Sequence, residues 1–229
     1  MPEALVLFGS VARGSADSQS DIDLLAVGGA TVASSMKSNG VEVQNYSTEK
    51  FMSLAKEGDL FGAHIAMEGK AIFDPHNIFV RFREEYTLKE NYETEISNAF
   101  DLATYLLFYG KNFPNQDLVA RRVAWAVRTV LIATLAERRK FVFSPEGLKR
   151  EFPFNWTSPL IDLRRNGAGK EFGGFLIDFL RNFEKLSIPF PESHYLEKFS
   201  DTNNAVALGS LRKLNSIAPS KSNQYSPEE

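Results

Sequence analysis

The sequence predicts an α+β protein in which a small α/β half is followed by a helical half. Up to about Asp74, short apolar runs alternate with glycine-rich turns, and from about Tyr92 onward apolar residues recur at helical spacing. The chain has 229 residues, enough for one large domain or two small ones. We therefore expect domains at 1–88 and 89–218, followed by a disordered polar tail at 219–229.

Three apolar segments and one helical pattern define most of the first half. Ala4–Phe8 and Ile22–Val27 are short apolar runs that end at glycine, which is typical of buried strands. Lys70–Phe73 is predicted as a further strand, closed by an Asp-Pro turn. Between them, Thr48–Lys56 has apolar residues at helical spacing, and Thr48 is the expected N-cap.

A fourth strand is predicted from alternation rather than from apolar character. Val41–Tyr46 follows an Asn39-Gly40 turn and places valines on one face, with Glu42 and Gln44 on the other. This pattern predicts a half-buried strand whose glutamate side chain lies on the polar face.

The second half carries long helical stripes with recognisable starts. One helix is expected at about 117–139. Ser144-Pro145 and Ser158-Pro159 each place a capping serine before a first-turn proline, so helices are expected to begin at both.

Composition excludes several classes of protein. The 26 Lys+Arg and 29 Asp+Glu give a net charge of −3, which argues against binding to nucleic acid mainly through bulk charge. The absence of cysteine excludes a disulfide framework, a thiolate metal site and a cysteine nucleophile. No apolar run approaches the roughly 20 residues of a membrane span, and the first residues lack the basic start of a signal peptide. We expect a cytoplasmic protein that does not enter a membrane.

The segment most informative about chemistry begins with Phe8-Gly9-Ser10 and continues to Arg13-Gly14. A strand ends at Gly9, and Ser10 opens a short helical turn. Glycine lets a ligand approach the backbone closely, and free N–H groups at the start of a helical turn favour anions such as phosphate. The Ser10 hydroxyl adds a donor at the same place.

Two aspartates follow on the next predicted strand. Asp21 and Asp23 are two residues apart, so both carboxylates project from one face. Like charges this close repel one another unless a cation lies between them. Carboxylate oxygens suit Mg²⁺ or Mn²⁺, which would link them to the phosphates of a nucleotide.

Taken in order, these motifs resemble the active-site signature of the polymerase-β-like nucleotidyltransferase superfamily, especially its compact bacterial members. The likeness is close over about residues 5–27 and looser to about residue 74. It implies a nucleotidyltransferase-like mixed β-sheet with helices, followed by a C-terminal helical bundle. It also implies an enzyme that uses Mg²⁺ or Mn²⁺ and an NTP, with ATP the expected donor. Such an enzyme transfers an NMP group to an acceptor hydroxyl and releases pyrophosphate.

The resemblance also implies roles for individual residues. Gly9 and Ser10 would hold the β- and γ-phosphates, and Asp21 and Asp23 would ligate metal. The family adds a third carboxylate from a neighbouring strand, and Glu42 is the candidate, although aspartate is usual at that place. The alternative for this glutamate is a solvated residue on the strand face.

Two arginines are further candidates for phosphate binding. Arg13 belongs to the glycine-serine turn and would contact the triphosphate, or else it is a surface arginine. In the helical half, Arg128 shares a helix face with Arg121, and with Arg122 they surround Trp125. These arginines would converge on a phosphate or an acidic substrate, or else form a solvated helix face.

The acceptor and the assembly state are not determined by these motifs. A small hydroxylated molecule, a protein and an RNA all remain open as acceptors. The competing interpretation is a catalytically degenerate, antitoxin-like member that acts as a binding or regulatory module. The first strand begins almost at Met1, with no helix before it to pack on the back of the sheet. The apolar surface left there would be covered by the second half of the chain or by the partner in a homodimer.

Overall fold

The computed structural model describes residues 1–18, 20–29, 34–167 and 172–215. The chain divides into two compact units. The first unit comprises Met1–Tyr92 and Ile132–Arg150, and the second comprises Glu93–Leu131 and the chain from Glu151 onward. The predicted domain boundary at 88/89 remains a prediction, and the predicted tail at 219–229 lies outside the described residues.

A mixed five-stranded sheet forms the centre of the first unit, and with its helices it confirms the α+β class. The described strands are β1 (Ala4–Phe8), β2 (Ile22–Val27), β3 (Ser34–Ser38), β4 (Val41–Tyr46) and β5 (Lys70–Phe73). Their order across the sheet is β3-β4-β2-β1-β5. The β2–β4 pair is parallel and the other pairs are antiparallel.

The four strands expected from the sequence occur with the predicted bounds, and β3 is the addition. Its segment, Ser-Ser-Met-Lys-Ser, lacks the apolar alternation that indicates a strand. It forms because Asn39 and Gly40 adopt φ values of 50° and 76°, the positive values required by a two-residue hairpin turn. Ser38 then pairs with Val41 across the turn.

Eleven α-helices lie in the described part of the chain. They are α1 (Gly9–Arg13), α2 (Thr48–Lys56), α3 (Leu60–Glu68), α4 (Ile78–Glu85), α5 (Glu93–Tyr109), α6 (Gln116–Glu137), α7 (Pro145–Glu151), α8 (Thr157–Asn166), α9 (Phe172–Asn182), α10 (Glu192–Asp201) and α11 (Ala205–Asn215). A single 3-10 turn, Gly110–Asn112, follows α5. The helix expected at about 117–139 is therefore present as α6.

Two of the three predicted N-caps are wrong, and the third is confirmed. Ser47, not Thr48, caps α2, because its side chain accepts a hydrogen bond from the Lys50 N–H. The cap predicted at Ser158 is wrong, since α8 already begins at Thr157 and the Ser158 hydroxyl donates to Asp162 instead. Ser144 does precede α7, and its Oγ accepts from the Gly147 N–H at 3.1 Å.

One face of the sheet carries the core of the first unit. Val6 and Leu25 are fully buried on β1 and β2 and belong to the same apolar cluster as residues of α2, α3 and α4. Phe51 of α2 and Phe82 of α4 stack with ring centroids 4.0 Å apart. This packing fixes the two central strands, whose ends carry the predicted site.

The second unit is helical in its described part and has its own aromatic core. Trp156 and Phe179 meet edge to face at 5.1 Å, and Tyr105 and Phe199 do so at 5.6 Å. All four side chains are almost fully buried. In the described ranges of the chain, no helix combines the length and apolar character needed to cross a bilayer.

Candidate active site

The candidate site begins where β1 ends, at Gly9. Any larger residue at this position would displace a neighbouring side chain. Gly9 is buried and has a φ of +72°, a conformation that L side chains rarely adopt. A Cβ atom added here would collide with the carboxylate of Asp23. The glycine-serine turn and the first acidic strand are therefore in direct contact.

Helix α1 is a single tight turn whose end is closed by backbone hydrogen bonds. The Gly14 N–H donates to the Val11 carbonyl at 3.1 Å, and the Ser15 N–H donates to the Ser10 carbonyl at 2.9 Å. At the other end, Phe8 offers no side-chain cap. The half-buried Ser10 thus lies at a helix start that the Phe8 side chain does not cap.

Sheet register brings two of the predicted acids to the same face. Phe8 pairs with Asp23 across β1 and β2, and Asp23 pairs with Glu42 across β2 and β4. Directly paired residues place their side chains on the same side of a sheet. Because Val6 pairs with Leu25 two residues along, this side is also the one that carries the apolar core.

The apolar core therefore lies on the face of β4 that carries Glu42 and Gln44, opposite to the face that the alternation predicts. The polar residues Glu42 and Gln44, expected on the solvated face, share their side of the sheet with the core. Every residue of β4 is partly buried and none fully so. The alternation predicted the strand correctly, but not which face the helices would cover.

Local hydrogen bonds engage one oxygen of Glu42. Its Oε1 accepts from Gln44 Nε2 at 2.9 Å and from Ser35 Oγ at 3.3 Å. Ser35 lies on β3, the strand that the sequence did not predict. Among the described side chains, the hydrogen bonds to Glu42 all use Oε1.

Asp21 lies just before β2, and the adjacent Ile22 N–H donates to the Gly40 carbonyl at 2.8 Å. Like Asp23, Asp21 is half-buried. Among the described residues, no group of three acidic or histidine side chains is arranged as a complete metal site. Two carboxylates nevertheless suit Mg²⁺, which commonly takes one or two from the protein and completes its shell with water and phosphate oxygens.

Arg13, at the last position of α1, is held by side chains of α3. Its Nη1 donates to Glu68 Oε2, and the same oxygen lies 2.9 Å from His64 Nε2. The His64 ring stacks on Phe143 at 4.7 Å and meets Phe8 edge to face at 5.7 Å. Arg13 is thus part of a packed cluster at the site, not an isolated surface arginine.

Electrostatics in this cluster favours the ionised form of Glu68. Burial alone would raise the pKa of this carboxyl, but hydrogen bonds from His64 and Arg13, together with their positive charge, outweigh it and lower the pKa. Glu68 was not among the site residues predicted from the sequence. The signal available was the i,i+4 spacing of His64 and Glu68 on an apolar helix.

Arg128 lies on α6 in the second unit and is half-buried, whereas Arg121 is exposed. Burial lowers the pKa of the neighbouring Arg122. The predicted part of Arg128 in nucleotide binding remains a prediction.

Part of the chain is similar to a known protein family, and the chain also has a structural neighbour of low similarity. Residues 2–94 match the family described as "Nucleotidyltransferase domain". No curated protein matches the chain. A solved structure of a nucleotidyltransferase-like protein from Exiguobacterium sibiricum is 13% identical, with 94% of this chain and 75% of that chain covered and a TM-score of 0.32. The match to the nucleotidyltransferase family thus covers less than half of the chain, and it lies in the part that contains the glycine-serine turn and the acidic strand.

Proposed function

We propose, on the premise that residues 2–94 form a nucleotidyltransferase domain, that the protein is a metal-dependent nucleotidyltransferase. It transfers an NMP group from an NTP, with ATP as the expected donor, to an acceptor hydroxyl and releases pyrophosphate. The observation that carries the proposal is the contact between the Gly9 backbone and the Asp23 carboxylate. This contact joins a phosphate-binding turn to a metal-binding acid.

In this proposal, the residues of the chain mainly position the reactants. The Gly9–Ser10 backbone and the Ser10 hydroxyl bind the β- and γ-phosphates, while Asp21 and Asp23 provide carboxylate oxygens for Mg²⁺ or Mn²⁺. The metal, when bound, neutralises charge on the phosphates and on the leaving pyrophosphate. Arg13 contributes further positive charge toward the phosphates.

Glu42 completes the proposed set of acids. Its register position beside Asp23 favours a role as the third carboxylate, which ligates metal and accepts the proton of the attacking hydroxyl. The acceptor is a small molecule, a protein or an RNA. The reaction is placed in the cytoplasm, where nucleoside triphosphates are abundant.

Calorimetric titration of ATP and GTP in the presence of Mg²⁺ tests the proposal. The wild type is compared with Asp21→Asn/Asp23→Asn. The matched control is Glu84→Gln/Glu85→Gln, which removes two exposed acids from α4 of the same unit. We expect Mg²⁺-dependent binding to the wild type and the control, and none to the aspartate variant.

Equal binding to all three proteins would place the nucleotide elsewhere and reject the site. Absence of binding to the wild type would count against an NTP-using enzyme. If binding follows the expected pattern, labelled ATP can then be used to screen acceptors of the three classes.

A second candidate, a nucleotide-binding module without catalysis, is favoured by a specific observation. The described acids do not form a three-membered metal site, and Glu42 has one oxygen engaged by Gln44 and Ser35. Assays of wild type and Glu42→Gln with labelled ATP and acceptors of all three classes separate the two candidates. In the enzyme, this variant binds nucleotide but loses transfer by about 100-fold or more, the usual size of a general-base contribution. In the module, neither protein transfers the nucleotidyl group.

A further inference from the structure

The cluster formed by Arg13, His64 and Glu68 has a more specific arrangement than charge neutralisation requires. Both side-chain contacts that Arg13 makes in the described part of the chain use Nη1, one to Glu68 and one to His64 at 3.4 Å. The guanidinium is planar and rigid, so fixing one nitrogen fixes the directions of all its N–H donors. Within the described ranges, no side chain accepts from the opposite nitrogen, Nη2, which retains its two donors for another acceptor.

Burial makes this arrangement stiff. The side chains of Arg13, Glu68 and His64 are only 18–19% exposed. His64 is held between Phe143 and Phe8, which limits movement of its ring. Its Nε2 lies 2.9 Å from Glu68 Oε2, so this carboxylate oxygen has two donors from two different elements.

A buried donor without an acceptor lies within the same arginine. Arg13 Nε is inaccessible to solvent and has no hydrogen-bond partner among the described residues. Leaving such a donor unpaired is unfavourable. If Arg13 only stabilised the fold, we would expect its Nε to have an acceptor. The orientation of Arg13 is explained better if its Nη2 donors must face a ligand.

We infer that Glu68 is a positioning residue that holds the Arg13 guanidinium for a phosphate group of the nucleotide bound at Gly9 and Ser10. The inference rests on the proposed function. Arg13 is three residues after Ser10 on the same helical turn, so its orientation is set within the site itself. Glu68 contacts Arg13 and acts on the phosphate through it, while His64 fixes the carboxylate.

A double-mutant cycle on Mg²⁺-ATP binding tests the inference. Wild type, Glu68→Gln, Arg13→Gln and the double variant are titrated by calorimetry, with Glu84→Gln as a control that removes an exposed acid from the same unit. We expect Glu68→Gln to weaken binding about tenfold in the presence of Arg13, the size of one charged hydrogen bond. In the Arg13→Gln background we expect less than about a twofold change, because the two residues act as a unit.

Thermal unfolding of each variant shows whether the folded state is retained. If Glu68→Gln does not fold, Glu68→Asp keeps the charge but moves the carboxylate back by one methylene, and weaker binding is again expected. A residue with a purely structural role would change binding equally in both Arg13 backgrounds, or not at all, and either result overturns the inference. If the wild type does not bind Mg²⁺-ATP, the proposed function is rejected together with this inference. If wild type and Glu68→Gln bind equally, only this inference is rejected.

Discussion

At the scale of single residues, Gly9 and Gly14 provide a controlled comparison. Both have nearly the same positive φ, +72° and +71°, but only Gly9 faces a neighbouring atom where a Cβ would lie. Gly9→Ala and Gly14→Ala should each lose about 1–2 kcal/mol of unfolding free energy from backbone strain. Gly9→Ala should also abolish Mg²⁺-nucleotide binding, because its methyl group displaces the Asp23 carboxylate.

Urea unfolding and calorimetric titration of the two variants measure these effects separately. Gly14 has open space around its Cβ position, so Gly14→Ala reports strain without displacement. If Gly14→Ala lost nucleotide binding to the same extent, strain in the turn, and not contact with Asp23, would be responsible.

The lowered pKa of Glu68 predicts a pH dependence of stability. Because its pKa is lower in the folded protein than the value of about 4.3 in the unfolded chain, folding favours the ionised form. Glu68 therefore stabilises the protein fully above its unfolded pKa, and this contribution is lost as the pH falls through the folded pKa.

We expect the difference in unfolding free energy between wild type and Glu68→Gln to be largest near neutral pH and to narrow in acid. Urea unfolding at a series of pH values measures it. Glu84→Gln, which removes an exposed acid from α4, should show a small difference with little pH dependence. A Glu68→Gln difference that grew in acid would contradict the assigned direction.

Candidate site residues could be chosen from the sequence where they lie in a short motif. Gly9, Ser10, Asp21 and Asp23 follow one another along the chain, and the structure places Gly9 close to the Asp23 carboxylate. Glu68 comes from a helix far along the sequence, and its role depends on packing that a sequence pattern does not specify. The individual roles of these residues remain predictions.

At the scale of elements, the start of α11 depends on one buried side chain. Asn204 is 2% exposed, its Oδ1 accepts from the Ala207 N–H at 3.0 Å, and its Nδ2 donates to the Asn98 carbonyl on α5 at 3.1 Å. The same amide therefore caps α11 and ties it to α5. Asn204→Ala should cost about 2 kcal/mol of unfolding free energy, the sum of a lost cap and a lost hydrogen bond to Asn98.

Asn204→Ser is the matched variant, because its hydroxyl can still cap α11 but is too short to reach Asn98. Urea unfolding should place it between the wild type and Asn204→Ala. If the two variants were equally destabilised, the link to α5 would account for the whole effect and the cap for none.

Elements were predictable where glycine or proline marks their ends. The strands β1, β2, β4 and β5 have the predicted bounds, because their apolar or alternating runs stop at turn residues. Strand β3 was missed because its pairing partner, and not its own composition, makes it a strand. The cap of α8 was misplaced because the Ser-Pro pair lies inside the first turn instead of before it.

At the scale of the whole molecule, the outer edge of β5 suggests self-association. All four β5 residues are exposed, with Ile72 at 57% and Phe73 at 50%, and within the described residues no strand pairs with this edge. Exposed apolar edges are otherwise unfavourable for a folded protein. Antiparallel pairing of two β5 strands centred on Ile72 would place Ala71 opposite Phe73 of the second copy, so apolar side chains would meet across the pair.

We therefore predict a homodimer in solution, and Ile72→Lys should convert it to a monomer through charge repulsion at the centre of the pair. Light scattering measures the mass of each protein. Val206→Lys, which places the same charge on an exposed apolar position of α11, should leave the dimer intact. A monomeric wild type would rule out the pairing.

The first unit is built from two separate stretches of chain, so it can be completed during synthesis only after the intervening part of the second unit has been made. The match to the nucleotidyltransferase family ends at residue 94, yet the stack on His64 is completed by Phe143, and the Tyr92 N–H donates to Glu137. Glu137 is the last residue of α6 and Phe143 follows it, so both partners are translated after α5 and the rest of α6. We therefore expect His64 to lack its stacking partner, and the first unit to stay incomplete, until Phe143 has been translated.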